Sequence, residues 1–262
     1  MNAKNKKGTI GIVGGMGPEA GIDLASKLVR NTVAYRDQEH LPLVLHSFPA
    51  DIDDRTEYVE GKVKVNPGHS IARILCSMEQ QGAGLAGIAC NSAHIEKIFS
   101  VVLSDLEKNG RGTLRLLNMI TEMGIFIRKH YPGKKRVGIL GTTGTYISSS
   151  YSSIEGEGVV TVNLDQDQQS RLHSAIYHPQ YGIKSLSGVF SHEAKSIFYD
   201  SCSSIIGKGA DIIVLACTEL SVAYPMRNYK GVPVVDSNTV LARALVNAFD
   251  PSRLKPWGGW TG

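Results

Sequence analysis

The chain has 262 residues, 42% hydrophobic and 20% charged, and its 28 glycines follow no three-residue period, which excludes a wholly disordered or fibrous polypeptide. At about 150 residues per domain, this length predicts one large domain or two small lobes. The formal net charge is +4, but Lys4, Lys6 and Lys7 stand together at the start, and without them 25 basic residues face 24 acidic ones, so no nucleic-acid-binding face is implied. The longest clean apolar run, 212–217, has six residues, far short of the roughly 18 that a membrane span needs. Glycine interrupts the apolar stretch after the basic start, so no signal-peptide core forms and a cytoplasmic protein is expected. None of the four cysteines, Cys76, Cys90, Cys202 and Cys217, forms a Cys-x-x-Cys pair, which predicts free thiols.

In chain order, β-branched runs predict strands at 9–13, 42–48, 85–89, 114–118, 136–140, 159–163, 211–215 and 232–236. Pro18 opens a helix after the first strand, with Ile22, Ala25 and Val29 on one face and proline at its first position. Ile120, Met123 and Ile127 mark a helix after the fourth strand, and Leu241, Leu245 and Phe249 one after the last. This alternation is the pattern of an α/β protein with parallel sheets.

The chain also repeats itself. Ile10-Gly11-Ile12-Val13-Gly14 matches Val137-Gly138-Ile139-Leu140-Gly141 at an offset of 127 residues (138 less 11), and Cys90 and Cys217 differ by the same amount. Leu116-Leu117-Asn118 matches Val234-Val235-Asp236 at an offset of 118 (236 less 118). Two pseudo-symmetric α/β lobes account for this, each a short, mostly parallel sheet flanked by helices: residues 1–112 with 230–262 on the Cys90 side, and 113–229 on the Cys217 side. Each cysteine closes an apolar strand, at the sheet edge where open α/β folds bind ligands, so both are expected to face one interlobe cleft. Each also leads into a helix start, whose dipole and free N–H groups favour a thiolate. Cys76 and Cys202 lie inside helical stretches and read as packing residues.

Two facing thiols suit one kind of chemistry. Removal of the α-proton of an amino acid leaves a carbanion-like centre, which needs a strong, desolvated base and electrostatic support. A thiolate on one face and a thiol on the other can take a proton and return one with inversion, their roles exchanging at each turnover.

The residues resemble the cofactor-independent aspartate/glutamate racemases. The matching stretches are Gly14-Gly15-Met16-Gly17-Pro18, Asp37-Gln38-Glu39-His40-Leu41-Pro42, Asp53-Asp54-Arg55-Thr56, Cys90-Asn91-Ser92-Ala93-His94 and Ala216-Cys217-Thr218-Glu219, in family order over nearly the whole chain. The resemblance implies two-base racemization of an acidic amino acid without pyridoxal phosphate, in a homodimer. Cys90 and Cys217 would be the acid/base thiols, with Cys217 the base toward the L-enantiomer. Asn91, Ser92 and Thr218 would bind the substrate α-carboxylate. Arg55 offers a planar fork for a carboxylate, and Lys184 a point charge for the side-chain carboxylate. Met16 would line the pocket, Glu219 would orient the ammonium or tune Cys217, and His94 is a supporting candidate. The family pattern has threonine where Ser92 stands; the hydroxyl survives and the lost methyl enlarges the pocket. The Gly-Met-Gly-Pro loop leans toward the aspartate racemases, and the segment 255–262 has no family counterpart.

Rival readings come from other classes. Gly15-Met16-Gly17-Pro18-Glu19-Ala20 fits a dinucleotide-binding G-x-G-x-x-A, but Pro18 removes an N–H from the phosphate cradle and no acidic residue ends the second strand. A two-lobed binding protein would have no use for both thiols. Decarboxylases, maleate-type isomerases and hydantoin racemases share the cleft with other cysteine usage or carboxylate contacts. Cys90 and His94 have no spaced second pair of ligands to complete a zinc site.

Overall fold

A computed structural model describes residues 8–186 and 190–258; Lys4, Lys6, Lys7 and the end of the tail lie outside them. The first half runs β1 (Thr9–Gly14), α1 (Pro18–Asn31), β2 (Leu43–Ser47), α2 (Arg55–Val59), α3 (Pro67–Gln80), β3 (Ala83–Ile88), α4 (Glu96–Asn109), β4 (Arg115–Leu116) and α5 (Met119–His130). The second runs β5 (Arg136–Gly141), α6 (Thr143–Ile147), β6 (Val160–Val162), α7 (Gln166–Tyr177), α8 (His192–Gly207), β7 (Ile212–Ala216), α9 (Thr218–Ala223), β8 (Asn228–Tyr229), β9 (Val232–Asp236) and α10 (Ser237–Phe249). All eight predicted strands form. The sequence reading missed β8, a two-residue edge strand antiparallel to β9.

The strand order β2-β1-β3-β4 in the first sheet recurs as β6-β5-β7-β9 in the second, all parallel. The repeat extends to register. Gly11 pairs with Ala86 on β3 and Gly138 with Ile213 on β7, each residue 127 positions (138 less 11, 213 less 86) from its counterpart. The glycines are kept small for the same reason in each lobe. A Cβ on Gly11 would meet Met78 Sδ of α3 at 2.9 Å, and one on Gly138 would meet Ile205 Cγ1 of α8 at 2.8 Å. In each sheet a helix thus closes over the first strand where a side chain would hold it off.

Sheet membership divides the chain differently from the expected boundaries. β4 belongs to the first sheet, although 113–229 was assigned to the second lobe, and β9 belongs to the second, although 230–262 was assigned to the first. The crossings fall one element later, at the helices. Asn118 caps α5 and Asp236 caps α10, each accepting from two backbone N–H groups. Ile120, Met123 and Ile127 of α5 then bury against Val137, Ile139 and Val214 of the second sheet. Leu241, Leu245 and Val246 of α10 return to Ile10, Ile12 and Leu85 of the first. The 118-residue match therefore marks the fourth strand of each sheet.

α1 turns a different face inward from the one its β-branched residues suggest. It buries Ala20, Gly21, Leu24 and Leu28, leaving Ile22 55% and Val29 39% exposed. The smaller stripe wins because α1 crosses β1 closely: a Cβ on Gly21 would lie 2.9 Å from Gly14 Cα. Among the described residues no helix is long and apolar enough to cross a membrane.

Candidate active site

The cysteines end equivalent strands. Past β3, Cys90 in extended backbone leads into a four-residue 3-10 turn, Asn91–His94; past β7, Cys217, also extended, precedes the six-residue α9. Both thiols are buried and free. Nine of the residues singled out from the sequence, all but His94, line one narrow cavity, and Thr142 and Tyr177 complete its wall.

On the first-lobe side, Asp54 caps α2 through Thr56 and Glu57 N–H, which places Arg55 at the first helical position, facing inward. Arg55 is 6% exposed; its Nη1 donates to Asp53 O at 3.0 Å and its Nη2 to Met16 O at 3.2 Å. Burial opposes its charge, but Cys90 and then Asp54 outweigh that and hold the guanidinium above its ordinary value. Met16 thus serves the cavity through its carbonyl, while its side chain joins the core cluster that includes Val13, Ile52 and Cys90. The turn before it needs Gly15, whose φ of +89° and close approach to the Phe48 and Pro49 backbone leave no room for a side chain.

Glu219 anchors the opposite side. Its Oε1 accepts from Lys184 Nζ at 2.6 Å and Gly17 N at 2.8 Å, and its Oε2 from the Cys217 thiol at 3.0 Å and Thr218 Oγ1 at 3.2 Å. Burial alone would raise the Glu219 carboxyl, but Lys184 more than offsets it and brings it down to about 2. The same carboxylate acts in the other direction on Cys217: burial first and Glu219 second push its thiol well above the ordinary range. This corrects the expectation that a helix start would favour a thiolate here. The six-residue α9 is short, and dehydration plus an adjacent anion outweigh its dipole. Lys184, held above its ordinary value by Glu219 despite burial, also lies 5.2 Å from the Tyr177 ring centroid.

The remaining candidates join the halves. Ser92 Oγ lies 3.2 Å from Thr142 Oγ1, and Thr56 Oγ1 donates to Thr142 Oγ1 at 3.4 Å. Asn91 Nδ2 donates to Ser237 Oγ at 2.9 Å, and Tyr151 OH donates to Asn91 Oδ1 at 2.6 Å. Tyr177 OH donates to Asp54 Oδ2 at 3.0 Å, closing the cavity between α7 and the first-lobe loop. Sequence reasoning missed Thr142, Tyr177, Tyr151 and Ser237. The repeat could have found Thr142, which stands 127 positions (142 less 15) after Gly15, at the loop that follows the first strand of each sheet.

The G-x-G-x-x-A turn does not form a phosphate cradle, because Gly17 N–H is committed to the Glu219 carboxylate, an anion that would repel a pyrophosphate. His94 turns its Nδ1 toward the backbone carbonyl of Cys90 at 2.9 Å, and burial lowers its pKa to about 4, so it is a neutral support for the turn. Among the described residues no three His, Cys, Asp or Glu side chains gather to hold a metal ion. Cys202 is buried within α8, where burial pushes its thiol up to about 12, and Cys76 lies in α3; neither lines the cavity.

The chain matches the family model described as Asp/Glu/hydantoin racemase over residues 13–245. It is similar to the solved aspartate racemase of Picrophilus torridus at 30% identity, over 95% of this chain and 96% of that one, with a TM-score of 0.71. An aspartate racemase homologue from Pyrococcus horikoshii shares 21% identity over 92% and 98% of the two chains, with a TM-score of 0.64. Glutamate racemase isoform RacE1 from Bacillus anthracis shares 16% over 95% and 84%, with a TM-score of 0.61. These last two are likenesses of fold.

Proposed function

From the premise that this chain belongs to the Asp/Glu/hydantoin racemase family, we propose that it interconverts L- and D-aspartate by a two-base reaction between Cys90 and Cys217. The observation that carries the reading is two buried thiols, each closing the third strand of its sheet, on one cavity that also holds the buried Arg55 and the half-buried Lys184.

In this mechanism the thiolate on one face removes the α-proton and becomes a thiol, while the thiol on the other face protonates Cα and becomes a thiolate. Asn91, Ser92 and Thr218 receive the α-carboxylate, whose charge spreads as the α-carbanion forms. Arg55 and Lys184 hold carboxylate charge, with Arg55 fixed as a fork by two backbone carbonyls. Glu219 faces the substrate ammonium. With its proton held by burial and Glu219, Cys217 is set as the acid that completes the L-enantiomer, and Cys90 is the base toward D. The reverse direction needs the Cys217 proton removed, which an ammonium beside Glu219 assists by offsetting the carboxylate charge. Base, acid and carboxylate contacts all come from the chain's own side chains, with no pyridoxal phosphate, and a homodimer is part of the same proposal.

Aspartate is preferred to glutamate because the relative at 30% identity is an aspartate racemase. One surplus methylene in a fitted pocket costs about 1–3 kcal/mol, roughly 10- to 200-fold in kcat/KM. Chiral chromatography of purified protein incubated with each L-amino acid tests this: aspartate racemizes fastest, glutamate lags by at least about tenfold, and neutral amino acids do not react. Equal rates on glutamate would shift the substrate, and reaction of neutral amino acids alone would remove Arg55 and Lys184 from the account.

A further inference from the structure

Asn91 follows Cys90 directly, and its side-chain amide is held at both ends by residues outside the first sheet. Tyr151, in the 3-10 turn Ser150–Ile154, donates to its oxygen, and its nitrogen donates to Ser237, the first residue of α10. Asn91, Tyr151 and Ser237 are all at most 3% exposed, and neither Tyr151 nor Ser237 lines the cavity. A side-chain amide has one acceptor and two donor hydrogens, and either end fits the same space until its partners choose. Tyr151 makes that choice. Burial holds its phenol protonated, and that O–H donates to Asn91 Oδ1, so a reversed amide would turn an N–H toward it and leave the buried O–H without this acceptor.

With the oxygen committed to Tyr151 and one hydrogen to Ser237, the second N–H is what Asn91 offers the cavity. A reversed amide would put the oxygen on the Ser237 side and turn a lone pair toward the bound carboxylate. We propose that Tyr151 is a positioning residue of the racemase reaction, locking the Asn91 amide so that its free N–H, and not its oxygen, meets the substrate α-carboxylate, with Ser237 as the second anchor. This rests on the reading of the cavity as an acidic amino-acid site. Tyr151 acts on ground-state binding through Asn91 and touches neither substrate nor reacting atoms.

The test is a double-mutant cycle on Tyr151→Phe and Asn91→Ala, read in KM and kcat for L-aspartate and, separately, in calorimetric binding of succinate, which has two carboxylates and no reactive stereocentre. Y151F is expected to raise KM and the succinate Kd about tenfold, the loss of one charge-assisted hydrogen bond, with kcat changed less than about threefold. On top of N91A it is expected to change neither. An unchanged KM for Y151F, or an equal penalty with and without N91A, would overturn the proposal. If Y151F does not melt cooperatively, Ser237→Ala replaces it in the cycle with the same expectation. A parent that binds succinate without turning over aspartate would sink the racemase reading while the cycle still decides the role of Tyr151; a parent that binds neither would overturn both.

Discussion

The Cys217 thiol donates a hydrogen bond to Glu219 Oε2 across 3.0 Å, and burial first, with the carboxylate kept ionised by Lys184 second, keeps the thiol protonated. One anion therefore pairs with Lys184 and adds to the burial that holds the Cys217 proton. Replacing Glu219 by Gln removes the charge and keeps the shape. The Cys217 pKa then falls, so the acid limb of the kcat/KM profile with L-aspartate moves toward lower pH, by about 1. A limb that stays in place would detach Glu219 from Cys217.

The same substitution has a stability signature. The folded Glu219 carboxyl titrates at about 2, below its ordinary 4.5, so its contribution is present above 4.5 and is lost as pH falls through 2. That difference corresponds to about 3 kcal/mol at neutral pH. Urea unfolding from pH 7 to pH 2 should show the gap between the parent and E219Q narrowing over this window. A gap independent of pH would mean that packing, not ionisation, is its source.

Arg55 should tolerate no cation of another shape. Its Nη1 and Nη2 are fixed by Asp53 O and Met16 O at 3.0 and 3.2 Å, and lysine cannot reproduce that fork. Arg55→Ala should raise KM for aspartate by about 10- to 100-fold, the range of a lost charge-assisted hydrogen bond, and Arg55→Lys should recover less than half of that in free-energy terms. Full rescue by lysine would reduce Arg55 to a point charge.

Away from the cavity, the crossing between β9 and α10 rests on a buried ion pair. Lys27 Nζ meets Asp236 Oδ2 at 2.6 Å, with side chains 15% and 8% exposed. Lys27→Met leaves Asp236 buried without its cation and should cost about 3–5 kcal/mol in chemical denaturation. A loss below about 1 kcal/mol would place the pair among solvent-screened contacts.

The repeat made much of this architecture legible. The 127-residue offset that links Gly11 to Gly138 also links their pairing partners, Ala86 and Ile213, and the helix residues that close over them, Met78 and Ile205. Because Cys90 and Cys217 obey the same offset, the position of both thiols at equivalent strand ends could be read before any coordinates. Contacts between the halves could not. Tyr151 lies 60 residues from Asn91, and Ser237 lies 146 away; neither stands in a motif, and their pairing depends on how the two sheets face each other. Which sheet β4 and β9 complete was not legible for a related reason: the two strands look alike in sequence, and their pairing partners lie far from them along the chain. At Cys217 the helix start does not decide the thiol's state, because burial and the Glu219 charge, neither visible in the local sequence pattern, oppose the dipole.

In the proposed reaction two thiols exchange the α-proton of aspartate on opposite faces. The most direct measurement is proton NMR of L-aspartate in D₂O with the parent, Cys90→Ser, Cys217→Ser and double-serine proteins, followed by chiral analysis of the product. Two-base exchange gives loss of the α-proton signal with inversion in the parent and a fall in inversion of at least about 100-fold in each serine variant, because a hydroxyl is a far poorer base than a thiolate near neutral pH. Inversion at the parent rate in the double-serine protein, or no α-proton exchange by the parent, would contradict it.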